Sequence, residues 1–236
     1  MKRILMVFAI AATAGTLSAQ KSDQSRIDFS VHVDPQFSWL SSDDNSVVSD
    51  GSIFHVQAGL RMDYFFEKNY AFYIGFGINN VGGKLLNNDT ADISYLQNDS
   101  ELIVNPDQSF KLNLQYLDIP LGLKLQTEEL GYLTIFFQAG FNPMVNINAY
   151  LSSEDETNSF EKENFKDNVP IFNFGYHLGA GVEYRLGGNT AAVAGIRWSS
   201  GLTDVTEIDF PRLTSNVISI NLGVLFLKAC ASLLHS

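Results

Sequence analysis

The sequence predicts an all-β fold, an eight-stranded antiparallel up-and-down transmembrane β-barrel, on three observations. From Arg26 to Leu40 apolar and polar residues alternate, far beyond the five or six residues of an ordinary strand and suited to a tilted membrane crossing of about nine to eleven. Past residue 20 no apolar run is long enough for a helical span, although 45% of the 236 residues are hydrophobic and mean hydropathy is +0.02. The connections run long, short, long, short, long, short, long, as short periplasmic turns and longer external loops require.

Lys2 and Arg3 precede an apolar segment from Ile4 to Leu17, followed by Ser18 and Ala19. That order is a secretory signal peptide, too short to span a bilayer, with cleavage expected after Ala19. The expected organisation is therefore a signal at 1–19, a barrel at 20–227 and a short tail at 228–236.

In the first strand Ile27, Phe29, Val31, Val33, Phe37 and Trp39 fall on one face and Asp28, Ser30, His32, Asp34, Gln36 and Ser38 on the other. Pro35 cannot donate to the ladder, so a local bulge is expected there. The second strand, Ile53 to Phe66, sets Phe54, Val56, Leu60, Met62 and Tyr64 against His55, Gln57, Arg61 and Asp63; the third sets Phe72, Ile74, Phe76 and Ile78 against Tyr73, Gly75 and Gly77.

The fourth strand, Tyr116 to Leu125, alternates leucine and isoleucine with Asp118, Pro120, Gly122 and Lys124. Upstream, Phe110, Leu112 and Leu114 alternate in the opposite phase, which calls for a bulge near Tyr116 or an external extension with different packing. The fifth strand exposes Leu133, Ile135, Phe137 and Phe141, and the sixth Phe172, Phe174, Leu178 and Tyr184 while turning His177, Glu183 and Arg185 inward. The seventh exposes Ala192, Ala194, Ile196 and Trp198 with Arg197 inward, and the eighth carries Ile218, Ile220, Leu222, Val224 and Phe226.

The four long connections, near 41–51, 82–109, 151–168 and 203–215, hold 17 of the 26 acidic residues but 4 of the 15 basic ones. Charge thus gathers on the external rim. A net charge of −11 and pI near 4.6 exclude a nucleic-acid partner, which needs a basic surface. Cys230 is the single cysteine, so no internal disulfide or cysteine metal site can form. Trp39, Phe141 and Trp198 fall near the outer strand ends and Tyr64, Phe66, Tyr70, Tyr184 and Phe226 near the inner ends, as aromatic girdles do.

The segment Tyr116-Leu-Asp-Ile-Pro-Leu-Gly-Leu-Lys-Leu125 resembles the Y-L-[DE]-I-P strand of the PorT-like outer-membrane β-barrel family of Bacteroidota. Gly179-Ala-Gly-Val-Glu-Tyr184 and Gly195-Ile-Arg-Trp-Ser-Ser-Gly-Leu-Thr203 are similar to its late-strand patterns. The resemblance implies a small barrel in the bacterial outer membrane; the namesake's role in type IX secretion is not carried over, because it is not shared by every protein of this look.

The inward phase collects Arg26, Asp28, Asp34, Arg61, Asp63, Asp118, Lys124, Glu183, Arg185 and Arg197, five of each sign, with His32 and His177. An eight-stranded barrel leaves an interior that side chains can just fill, so a paired lumen network is expected rather than an aqueous channel. His55 also falls inward, but about five residues out of register with His32, roughly 17 Å along a strand, which rules out a shared metal ion. A lipid hydrolase would need a serine beside a histidine at the rim; Ser199 and Ser200 lie near one, with His177 expected deeper. Asp43, Asp44, Glu154, Asp155 and Glu156 lack the spacing of a calcium loop.

The expected function is therefore non-enzymatic and without cofactor or metal: a membrane scaffold or an accessory subunit of a secretion or assembly complex. Its expected partners are outer-membrane lipid, lipopolysaccharide and proteins of such a machine. The alternative is a narrow pore for ions or small solutes.

Overall fold

The computed structural model describes residues 26–88, 93–97, 100–104, 106–153, 160–206 and 212–227. The expected signal peptide, the tail with Cys230, and Glu154 to Glu156 lie outside them.

Among the described residues thirteen strands are present: β1 (Arg26–Ser42), β2 (Val47–Gly51), β3 (Ile53–Glu67), β4 (Tyr70–Asn87), β5 (Ile93–Gln97), β6 (Ser100–Val104), β7 (Ser109–Asp118), β8 (Leu121–Gln126), β9 (Leu133–Ser153), β10 (Phe160–Asn164), β11 (Phe172–Gly187), β12 (Thr190–Gly201) and β13 (Leu213–Leu227). The barrel wall runs β1, β3, β4, β7 with β8, β9, β11, β12 and β13, every pair antiparallel. It closes where β13 returns to β1, from Asp28↔Leu227 to Ser42↔Leu213. Closure removes the free edges that an open sheet would present to lipid. β7 and β8 are two halves of one wall, separated at Ile119 and Pro120.

In β4 and in the wall of β7 and β8 the facing of residues is constant but their chemistry inverts partway up. In β4 the odd positions face inward from Ala71 to Asn87, while the outward residues change from Phe72, Ile74, Phe76 and Ile78 to Asn80 and Lys84. On the inner side Val81 and Leu85 succeed Tyr73, Gly75 and Asn79. β7 and β8 do the same: Phe110, Leu112, Leu114 and Tyr116 are buried on the same phase as Asp118 and Lys124. The barrel therefore has two storeys. The lower is apolar outside and polar inside, as lipid demands; the upper is polar outside and buries an apolar core that includes Leu40, Val81, Leu112, Met144, Leu151 and Leu213.

Three sequence expectations change accordingly. The apparent phase switch before Tyr116 is the external extension and needs no bulge in β7, whose pairing with β4 is uninterrupted. The bulge lies across from it in β9, where Gln115↔Asn148 gives way to Tyr116↔Asn146 and Ile147 is the extra residue. Without that residue Ala149 and Leu151 would point away from the upper core.

Pro35 causes no bulge either: β1 keeps one register with β13 on both sides of it, from Val33↔Leu222 to Gln36↔Ser219. Beside it the Leu222 N–H donates to Asp34 Oδ1 (3.3 Å). The long connections are also shorter than expected, because β2 and β10 pair with β4 and β9 above the membrane and β5 pairs with β6.

Candidate functional site in the barrel lumen

The lumen of the lower storey is filled in layers. Nearest the periplasm an apolar floor of Phe65, Ala71, Phe136, Ala191, Val193 and Leu225 is buried. Phe65 and Phe136 each sit inside a run of three apolar residues, where alternation alone does not distinguish the inward one.

Above the floor, Lys124 is wholly buried and its Nζ reaches Asp63 Oδ2 at 2.6 Å and Glu183 Oε1 at 2.5 Å. Its ammonium also lies 5.3 Å from the Phe136 ring centroid and 5.8 Å from that of Phe65. Arg61 Nε is 3.0 Å from Asp63 Oδ1, and its NH1 donates to Gln138 Oε1 at 2.9 Å. A buried ion pair is helped by further hydrogen bonds to its remaining positions, and Gln138 meets one of these for Arg61.

A second centre forms on Asp34. It is 2.9 Å from His32 Nδ1 and 3.7 Å from Arg197 NH1, and accepts from Asn221 Nδ2 at 2.8 Å. A third runs through uncharged groups. Asp118 accepts from Gln57 Nε2 (2.9 Å) and from Asn142 Nδ2 (2.9 and 3.1 Å). Asn142 Oδ1 bonds His177 Nδ1, and His177 Nε2 bonds the Tyr73 hydroxyl.

The direction of this chain follows from its ends. A carboxylate only accepts, so Asn142 presents its nitrogen to Asp118 and its oxygen to His177. His177 then carries its proton on Nδ1 and accepts the Tyr73 O–H at Nε2. Gly122 and Gly140 make room for Tyr73: a Cβ at either would come within 2.7 and 2.6 Å of its hydroxyl. Tyr73, Gln57, Gln138 and Asn142 lie on the inward phase but carry no charge, so a search for charges passes over them.

Two expected members stand apart from the lumen. Arg185 is half exposed at the periplasmic rim, where it pairs with Glu129 at 2.7 Å and the last residues of β11 are all exposed. Arg26 guards the mouth, its guanidinium 4.0 Å above the Phe65 ring and its Nε 2.9 Å from Asp28. At the same rim the exposed Lys68 ammonium, 2.7 Å from Glu128, holds that carboxyl below its ordinary range.

His55 lies four residues from His32 in the β1–β3 register, since His55 pairs with Gln36. Ser199 lies directly opposite His177, not above it. Both ring nitrogens of His177 are nevertheless taken, by Asn142 and Tyr73. Among the described residues no cluster of three metal-ligating side chains is present.

Three solved structures with a similar path of the chain are low in identity. The Neisserial surface protein A is 16% identical, with 84% of this chain and 96% of that one covered and a TM-score of 0.44. The outer membrane protein AlkL is 14% identical, with 90% and 94% covered and a TM-score of 0.45. OprG from Pseudomonas aeruginosa is 9% identical, with 87% and 96% covered and a TM-score of 0.44. No curated protein matches in sequence. The sequence model described as the outer membrane protein beta-barrel domain matches residues 18–207, and this chain belongs to that family.

Proposed function

We propose that the protein is a non-conducting outer-membrane scaffold that serves as an accessory subunit of a secretion or assembly complex. The observation that carries the first half is the filled lumen: the cavity between Gln36, Gln57, Asn142 and Ser199 has about 20 Å³, space for a single water. The apolar floor and the upper apolar core bracket the polar layer from both sides, and an ion crossing either would shed its hydration without a compensating partner. The second half is supported by the upper storey, a folded surface held above the membrane.

In planar bilayers the purified barrel should give a flat baseline. Stable, large conductance steps would sink the scaffold reading in favour of a narrow solute pore. Mild-detergent extraction from native membranes should recover it with protein partners, and recovery alone would count against the accessory role.

The Tyr116 to Leu125 strand supports a PorT-like affiliation within Bacteroidota, and the leader supports export with cleavage after Ala19. N-terminal sequencing of the membrane form should begin at Gln20; a chain that retains Met1 would refute the cleaved signal. The reading is non-enzymatic, with the belt contacting outer-membrane lipid and lipopolysaccharide, and no cofactor is part of it.

A further inference from the structure

The wall is not hydrogen-bonded throughout. β3 pairs with β4 from Ala58↔Ile78 downward, and β2 meets β4 again at Gly51↔Lys84. Between these points residues 52–57 face residues 79–83 without a ladder, and side chains close the seam. Gln36 Nε2 donates to Asn79 Oδ1 (2.8 Å) and to the Asn80 carbonyl (2.7 Å), Asn80 Nδ2 donates to the Val56 carbonyl (2.9 Å), and the Gly82 N–H donates to Ser38 Oγ (2.9 Å). His55, read from its phase as lumenal, lies in the seam: Nδ1 is 2.9 Å from Ser38 Oγ and Nε2 is 3.2 Å from Asn113 Oδ1, on the outer face of β7.

Outside this seam a cavity of about 170 Å³ is lined by His55, Asn80, Asn113, Leu114, Gln115 and Tyr150. No Asp, Glu, Lys or Arg lines it. Its floor is a line of amides, Asn148 Nδ2 donating to Gln115 Oε1 at 3.1 Å and Gln115 Nε2 to Asn80 Oδ1 at 3.0 Å. Asn113 Nδ2 and the Tyr150 hydroxyl take no protein partner among the described residues.

Depth identifies what reaches this cavity. The outward belt ends on these walls at Ile78, Leu117 and Val145, which lie side by side across β4, β7 and β9. Asn80 and Gln115, the next outward residues, stand at the level where acyl chains give way to headgroups. We propose that the cavity binds the sugar headgroup of an outer-leaflet glycolipid.

Hydroxyl groups both donate and accept, and the lining offers both: amide nitrogens, amide oxygens, an imidazole and a phenol. Tyr150 adds an aromatic face against which a sugar ring can lie. The absence of any cation in the lining disfavours a phosphate headgroup, which is bound by arginine, lysine or a helix N-terminus. The space suits one ring, with the acyl chains continuing down the apolar belt below Ile78.

Native mass spectrometry of the whole barrel tests this with three lipid probes: diglucosyl diacylglycerol, diacylglycerol and phosphatidylglycerol. The diglucosyl lipid should stay bound under collisional activation that strips the other two. Asn113→Ala and Tyr150→Phe should each lower its retention about fivefold, the worth of one hydrogen bond, while heat-modifiable migration on gels shows that both variants remain folded. Equal retention of the three lipids, tighter retention of phosphatidylglycerol, or diglucosyl retention unchanged in both folded variants would each overturn the proposal.

Discussion

At the scale of single residues the lumen is governed by what cannot be left alone. Lys124 is the sole cation between Asp63 and Glu183 at the floor of the polar layer, although Arg61 shares Asp63. Lys124→Met should therefore destabilise the barrel by about 3–5 kcal/mol, since removing one partner leaves buried carboxylates uncompensated. Urea unfolding followed by gel migration measures it, and a loss below about 1 kcal/mol would show that the pair is dispensable. The Asp118–Asn142–His177–Tyr73 chain makes a separate statement. Nitrogen-15 NMR of labelled protein should find the His177 proton on Nδ1; an Nε2-protonated ring would reverse the assigned direction of the chain. Most of the charged residues of this layer are legible in the sequence, because period-two alternation puts them on one face. Tyr73 and Asn142 are not, because an uncharged residue on that face looks the same whether it fills space or holds a network together.

At the scale of elements, the walls are legible where lipid is the outer solvent and misread where it is not. Phe110, Leu112 and Leu114 look out of phase with Leu117 and Leu121 only if apolar always means outward. In fact the phase of β7 never changes; the solvent outside it does. Ile147 is the true change of phase, and it is hidden in Asn146-Ile-Asn148, where neither reading has a distinguishing pattern. Deleting Ile147 should turn Ala149 and Leu151 away from the upper core. The expected outcome is a barrel whose lower storey still shows heat-modifiable migration while limited proteolysis cuts within β9 and β7; unchanged protease resistance would mean that the upper core tolerates the inversion. Pro35 teaches the opposite lesson. A residue that cannot donate signals a break, yet the register with both neighbouring strands is kept. The long pairing of β1 on both sides, which tolerates one missing donor, is not visible in a one-dimensional pattern.

At the scale of the whole molecule, the length of alternation, the short and long connections and the count of eight walls were all available from the chain, because a closed barrel imposes them together. What the chain does not display is the stack of layers across the lumen, since each layer draws residues from walls far apart in sequence. The stack is what makes conductance the decisive measurement: an apolar floor, a densely paired polar layer and an apolar upper core stand in series, and the flat baseline expected in planar bilayers depends on all three.

The inversion between storeys also sets a waterline. Sinking the barrel by one outward residue pair, about 5 Å along the membrane normal for a tilted strand, would press Asn80, Gln115 and Lys84 toward hydrocarbon on neighbouring walls at once. Raising it by the same step would lift Ile78, Leu117, Val145 and Phe172 into water. The protein is thus ballasted like a float, held at one draught by opposing penalties around its rim, so that whatever its upper surface meets is met at a fixed height above the membrane.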